Sequence, residues 1–172
     1  MNLSRICRTA AISVFAVLSM AASAQAGGDW NDKGIAWKTY EDGLVEAKQA
    51  SKPVLLVIYT EWCPHCTRFS EIFHDTKVVE KSKEFVMIHV ERDANKAISA
   101  KHAPDGEYIP RTYFLEPDGT LKDIHEDRPN YLYFYDTSSP DSLLRSMEKA
   151  SPTIGNKPEA PKDPAPDAPE AG

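Results

Sequence analysis

The stretch Glu61-Trp62-Cys63-Pro64-His65-Cys66 constrains this chain more than any other part of it. It follows Pro53-Val54-Leu55-Leu56-Val57-Ile58-Tyr59, an apolar run bounded by a proline, which reads as a buried strand. After it, Phe69, Ile72 and Phe73 fall at helical spacing within residues 67–74. Strand, Cys-x-x-Cys, helix is the context in which this spacing means thiol–disulfide chemistry. One helical turn separates Cys63 from Cys66, so their side chains can meet and close a small disulfide ring. Cys63 falls at the helix N-terminus, where unpaired N–H groups and the macrodipole favour a thiolate. Cys63 is therefore the expected nucleophile, and Cys66, one turn deeper, the expected resolving thiol.

The residues around the pair are expected to tune it. Pro64 stiffens the first turn without losing a hydrogen bond. His65, if protonated or donating its N–H, would stabilise the Cys63 thiolate and make the couple more oxidising. Glu61 acts in the opposite sense, because a nearby carboxylate disfavours a thiolate. Trp62 is expected to shield the disulfide or to meet substrate. A zinc site would need four ligands, and no second Cys-x-x-Cys or spaced histidine pair occurs. No metal is assigned, although His65 with both cysteines, and His74 or His102, could hold copper. Haem attachment is excluded by Thr67, which stands where Cys-x-x-Cys-His requires histidine.

Trp-Cys-x-x-Cys between strand and helix resembles the active site of the thioredoxin superfamily. The segment Tyr108-Ile109-Pro110-Arg111, then a strand, then Pro117-Asp118-Gly119, is similar to the superfamily's cis-proline loop and following hairpin. Trp37-Lys38-Thr39-Tyr40-Glu41-Asp42-Gly43, Asp105-Gly106-Glu107 and Tyr131-Leu132-Tyr133-Phe134-Tyr135 resemble the anterior-gradient group of small single-domain proteins of the endoplasmic reticulum. Cys-Pro-His-Cys is the dipeptide choice of periplasmic thiol oxidases. The resemblance spans about residues 35–150 and implies a thioredoxin-like α/β fold, a central mixed sheet of about four strands flanked by helices. It implies a cis bond before Pro110 and an exposed backbone at Ile109 with which an extended substrate could pair. Arg111 is either a contact for acidic substrate segments or a solvated strand end. One position departs from the resemblance: Val57 stands where thioredoxins keep a buried aspartate, leaving Cys66 without that proton acceptor.

The rest of the chain fits one domain. A helix is expected over 36–50, with Trp37, Tyr40, Leu44 and Ala47 on one core-packing face. Val78 and Val79 continue or restart the helical region as far as Lys83. The run 85–90 reads as a second buried strand, in parallel crossover with the first. A short helix over 94–102, a hairpin joining 112–115 to 121–124, and a last helix from Ser139-Pro140 to Ala150 complete the order α-β-α-β-α-β-β-α. About 115 residues suffice for one core and not for two.

The ends read differently. Arg5 and Arg8, an apolar run over 10–22, and Ala24-Gln25-Ala26 have the form of a signal peptide, 1–26, cleaved after Ala26. That run is shorter than the roughly 20 residues a spanning helix needs, so no membrane insertion is expected after cleavage. Residues 27–34 are polar and are expected to form a loose lead-in. Residues 151–172 hold six of the thirteen prolines and almost nothing apolar, the composition of a disordered tail. The final Pro169-Glu170-Ala171-Gly172 is not a retrieval signal, which favours a periplasmic or secreted protein. Cleavage removes two arginines and no acids, lowering the formal net charge from −6 to −8 and arguing against nucleic acid as partner. It also removes Cys7, leaving Cys63 and Cys66 as the only thiols.

The function expected from these residues is an exported, monomeric protein-disulfide oxidoreductase. It would need no cofactor beyond the redox-active Cys63–Cys66 disulfide. Its partners would be cysteine-containing exported proteins and a redox-recycling partner. The alternatives are a client-binding or chaperone module on the same fold, and a copper-binding thiol protein.

Overall fold

A computed structural model describes residues 28–151. The proposed signal peptide and nearly all of the Pro-rich tail lie outside them. The central strand β1 (Val54–Tyr59) pairs in parallel with β2 (Val86–Glu91) and antiparallel with β3 (Arg111–Leu115), giving the sheet order β2-β1-β3. Among the described residues five α-helices surround the sheet: α1 (Tyr40–Ala50), α2 (Pro64–Glu71), α3 (Thr76–Ser82), α4 (Lys96–Lys101) and α5 (Asp141–Ala150). This is an α/β thioredoxin-like fold.

Strand alternation divides the core into two layers. Leu55, Val57, Met87 and Phe114 point to one face, where Phe69, Phe73, Val78, Leu143 and Met147 cover them together with both cysteines. Val54, Leu56, Ile58, Val86, Ile88, Tyr113 and Leu115 point to the other, against Tyr40 and Ala47 of α1 and Tyr133. Both faces are buried, which is why the run 53–59 shows no polar alternation.

The structure departs from the sequence reading in four places. The first helix begins at Tyr40, not Ala36, because Lys38 bridges in parallel to Ile88 and its N–H donates to the Met87 carbonyl at 2.9 Å. Thr39 then caps the helix, accepting from the Asp42 N–H at 3.2 Å. Trp37 thus packs from an extended segment, against Phe73 and stacked on His89.

The lead-in is not loose where it is described. Trp30 is buried among Trp37, Tyr59, Phe69 and Phe73, and its carbonyl accepts from the Trp37 indole N–H at 2.7 Å. A single large aromatic ring overrode the polar composition around it.

Among the described residues the sheet has three strands, where about four are expected. The second arm of the hairpin forms only the bridge Leu115–Leu121, with the Lys122 N–H donating to the Phe114 carbonyl. The Tyr133 carbonyl accepts from the Thr112 N–H at 2.8 Å, so the aromatic loop shares the covering of the β3 edge.

Arg111 is neither solvated nor available to substrate. It is fully buried, and its guanidinium donates to the carbonyls of His102 and Gly106 and to the Ser99 hydroxyl. The Tyr113 hydroxyl also donates to the His102 carbonyl. Buried backbone oxygens at the α4 end and in the loop after it thus find their donors on β3.

Candidate active site

The dithiol lies at the carboxyl end of the central strand. After β1 the chain turns through Thr60, whose carbonyl accepts from the Cys63 N–H at 3.4 Å, and enters α2. Cys63 is the N-cap, with Pro64 in the first turn, where its missing N–H leaves no bond unmade. The Cys63 carbonyl accepts from the Thr67 N–H at 3.1 Å, and the Cys63 sulfur accepts from the Cys66 N–H at 3.3 Å. A backbone donor aimed at a sulfur from a helix end is the arrangement that stabilises a thiolate.

Both thiols are free and buried, Cys63 at 5% exposure and Cys66 at 0%. Burial pushes the Cys66 thiol well above its ordinary range. A backbone hydrogen bond from Thr60 acts in the other direction, contact with Cys63 pushes up again, and the charge of Arg92 pulls down. Val57, fully buried opposite His89 and Thr112, offers no acid or base. His89 is stacked between Trp37 and Tyr59, and burial holds it below its usual range.

The tuning residues are placed unequally. His65 lies on the surface, where its Nδ1 accepts from the Arg68 guanidinium at 2.8 Å and its ring meets the edge of Phe134 at 5.7 Å. Since arginine only donates, that nitrogen is the acceptor in this pair. The His65 hydrogen bond goes to Arg68, not to Cys63. Glu61 is exposed and makes its influence felt on Tyr59, which burial, then Glu61, push upward. Trp62 is 63% exposed, and its indole N–H donates to Asp93 at 2.8 Å.

The Ile109–Pro110 peptide is cis. Pro110 is buried, and Ile109 is half-buried against the core layer that contains both cysteines. His74 pairs with Asp29 and His102 with Tyr40, so the histidines considered for copper are apart. Among the described residues, no group of three or more His, Cys, Asp or Glu is placed to hold a metal ion.

Comparison with known proteins places this geometry. A family profile described as thioredoxin-like matches residues 36–117. The human anterior gradient protein 2 homolog is 32% identical over 124 residues, which cover 70% of this chain and 69% of that one. The chain belongs to the anterior gradient family. Among solved structures, a thioredoxin from Thermus thermophilus superposes with a TM-score of 0.55 at 18% identity, covering 67% of this chain and 86% of that one. A structure described as DsbH oxidoreductase gives 0.52 at 17% identity, covering 73% and 86%. At that identity these two share the fold alone.

Sequence reasoning missed several residues that complete the site of this anterior gradient family member. Arg92 stands 5.4 Å from the centre of the Trp62 ring and pairs with Asp93 at 2.9 Å. The Trp62 N–H, then Arg92, hold the Asp93 carboxyl below its usual range. Phe134 brings the aromatic loop against His65. No motif marks these positions. The one signal was that Glu91-Arg92-Asp93 ends the strand beside β1, and sites in α/β sheets gather at carboxyl ends of strands. Among the described residues, no helix is long and apolar enough to cross a membrane.

Proposed function

We propose that this protein engages cysteine-bearing protein clients by thiol–disulfide exchange at Cys63, and that Cys66 releases them slowly. The observation that carries this reading is the Cys66 N–H directed at the Cys63 sulfur, with the second thiol one turn behind it. Cys63 attacks a client disulfide, and its sulfur bonds to one client sulfur while the other leaves as a thiolate. Cys66 then attacks the Cys63 sulfur, frees the remaining client sulfur and closes the Cys63–Cys66 disulfide. The client is reduced by two electrons and the protein is oxidised. The reverse sequence donates the disulfide. Ile109, next to Pro110 and packed on the same core layer, is the edge along which an extended client would lie. Export to a periplasmic or extracellular space, where such clients occur, rests on the form of residues 1–26.

A second reading, a client-holding module on the same fold, has specific support. Kinship at above 30% identity is with the anterior gradient proteins, whereas the likeness to a thioredoxin and an oxidoreductase is one of fold. The Cys66 thiol is pushed up by burial, and Val57 in the same core layer stands where an acid would be, which favours a long-lived mixed disulfide over rapid turnover.

One experiment separates the two. With a peptide disulfide as probe, Cys66→Ser should accumulate a mixed disulfide at Cys63, and Cys63→Ser should form none. Unchanged peptide reduction in Cys63→Ser would remove the exchange reading. Undiminished client binding by Cys63→Ser/Cys66→Ser would select the holding reading.

A further inference from the structure

Two guanidinium groups stand beside the dithiol with no carboxylate to balance them. Arg68, in the last turn of α2, donates to His65 Nδ1 at 2.8 Å. The His65 ring meets the Phe134 ring at 5.7 Å, and the Arg128 guanidinium lies over that same Phe134 ring at 5.5 Å. Arg68, His65, Phe134 and Arg128 thus form one strip from the active-site helix to the aromatic loop, beginning two residues from Cys63. Arg68 and His65 are exposed, and Arg128 is half-buried. Among the described residues neither arginine has a carboxylate in ion-pair reach, not even Glu61, Glu71, Glu126 or Asp127 from the neighbouring segments, whereas Arg92, beside Trp62, pairs with Asp93 at 2.9 Å. A guanidinium held by one acceptor or by a ring face keeps most of its in-plane N–H donors, the fork that fits a carboxylate.

We propose that Arg68 and Arg128 select clients, binding a carboxylate side chain close to the client cysteine that Cys63 attacks.

This rests on the exchange reading, and the strip borders the edge assigned there to clients. The loop that carries Phe134 is tied to the cis-proline loop. The Tyr133 N–H donates to the Tyr108 hydroxyl at 3.0 Å, the Leu132 N–H to the Asp105 carboxylate at 2.8 Å, and the Tyr108 and Tyr131 rings meet at 4.9 Å. A chain laid along Ile109 with its cysteine at Cys63 therefore has Phe134 and the two cations at its flank. Arg111, fully buried and spent on the carbonyls of His102 and Gly106, leaves the recognition of acidic segments to them. The protein as a whole is acidic, with a formal net charge of −6, so it repels such a client and only a local cationic strip can favour it. At about 0.1 M salt, charges more than roughly 10 Å apart are largely screened, and the strip acts almost alone.

The test uses the full chain carrying Cys66→Ser, in which attack by Cys63 stops at the mixed disulfide. The probes are two disulfide-linked peptide dimers, alike except that glutamates flank the cysteine in one and glutamines in the other. The Cys63 sulfur bonds to one peptide sulfur, and the other leaves as a thiolate. Each rate is divided by that of 2-mercaptoethanol with the same dimer, which cancels differences between the disulfides themselves. At about 0.1 M salt the glutamate dimer should react about fivefold faster, and at about 1 M salt less than about twofold faster. Adding Arg68→Gln and Arg128→Gln should bring the ratio to about one, while Arg68→Lys with Arg128→Lys should hold it above about twofold, because the charge stays and only the fork is lost. Equal rates for the two dimers in the Cys66→Ser protein at about 0.1 M salt would overturn the proposal. So would a ratio that survives the two glutamines, including the case in which both rates fall together, the mark of a merely structural strip. Failure of the exchange reading looks different: neither dimer would form a mixed disulfide, and the proposal would fall with it.

Discussion

Arg111 donates to the carbonyl of His102 across 3.0 Å from a fully buried position, joining the start of β3 to the end of α4. Its other partners are the Gly106 carbonyl at 2.9 Å and the Ser99 hydroxyl, so three oxygens, none a carboxylate, hold one buried cation. The loop 102–106 carries the chain toward Ile109 and Pro110, and this guanidinium fixes its path.

Removing the charge should therefore damage the fold. Hydrogen bonds from charged donors contribute roughly 1.5–3 kcal/mol each, and orphaned carbonyls add a penalty. Arg111→Met keeps much of the volume and should lower stability by about 3 kcal/mol in urea denaturation, with the slope unchanged. A loss below about 1 kcal/mol would show that water replaces the guanidinium without cost.

His102 makes the same region sensitive to acid. Lys101 donates to the Tyr40 hydroxyl, which leaves that hydroxyl's proton for His102 Nε2 at 2.7 Å. The ring is therefore neutral, and burial, with Lys101 and Arg111 nearby, holds its pKa down to about 4. The unfolded chain, with an ordinary histidine, binds the proton first as pH falls. Stability is complete above about pH 6.5 and declines toward pH 4, by at most about 3 kcal/mol from this group. Burial lowers His89 as well, and its contribution has the same sign. Urea midpoints between about pH 7.5 and about pH 4.5 should fall steeply in the parent and much less in His102→Gln, whose amide oxygen can still accept from Tyr40. Parallel slopes in the two proteins would refute this assignment.

Gly43 tests how closely α1 lies on the sheet. A β-carbon there would collide with both Cγ1 and Cδ1 of Ile88, which is itself fully buried. In an open helix Gly→Ala stabilises by about 1 kcal/mol. Overpacking at this crossing costs more, typically about 1–3 kcal/mol. Gly43→Ala should therefore destabilise. In a double-mutant cycle with Ile88→Ala the two losses should add to less than their sum. A stabilised Gly43→Ala protein would mean that the helix can lift from β2 at little cost.

Periodicity and spacing make the central strands, the active-site helix and the dithiol legible in the sequence. The unbroken apolar run at 54–59, and the run 85–90, apolar but for His89, leave few alternatives to covered strands, and Cys-Pro-His-Cys marks the turn into the helix after the first of them. The features that escape depend on contacts between distant segments. Trp30 is one ring in a polar stretch, and only its neighbours from α2 and β1 make it core. Trp37 fits the helical pattern, yet the Lys38–Ile88 bridge keeps it extended. Arg111 reads as solvated because nothing local announces the carbonyls of His102 and Gly106. Arg92 and Asp93 look like any charged strand end until Trp62 is folded against them.

His65 shows where the motif and the geometry part. The dipeptide suggests a histidine that favours the Cys63 thiolate and so an oxidising couple. Its Nδ1 instead accepts from Arg68 at 2.8 Å, and its ring edge lies on Phe134. A ring so held gives the sulfur no hydrogen bond, and the backbone donor from Cys66 remains in place whatever occupies position 65. His65→Ala should accordingly shift the equilibrium of the Cys63–Cys66 pair against glutathione by less than about threefold, or less than about 15 mV for a two-electron couple. Removing Arg68 as well should add little, because its guanidinium is directed at the imidazole and not at the sulfur. A shift of about tenfold or more toward the reducing side in His65→Ala would mean that the imidazole turns to Cys63 when the thiolate forms. The oxidising character implied by Cys-Pro-His-Cys would then belong to a side chain that moves, and not to the helix end alone.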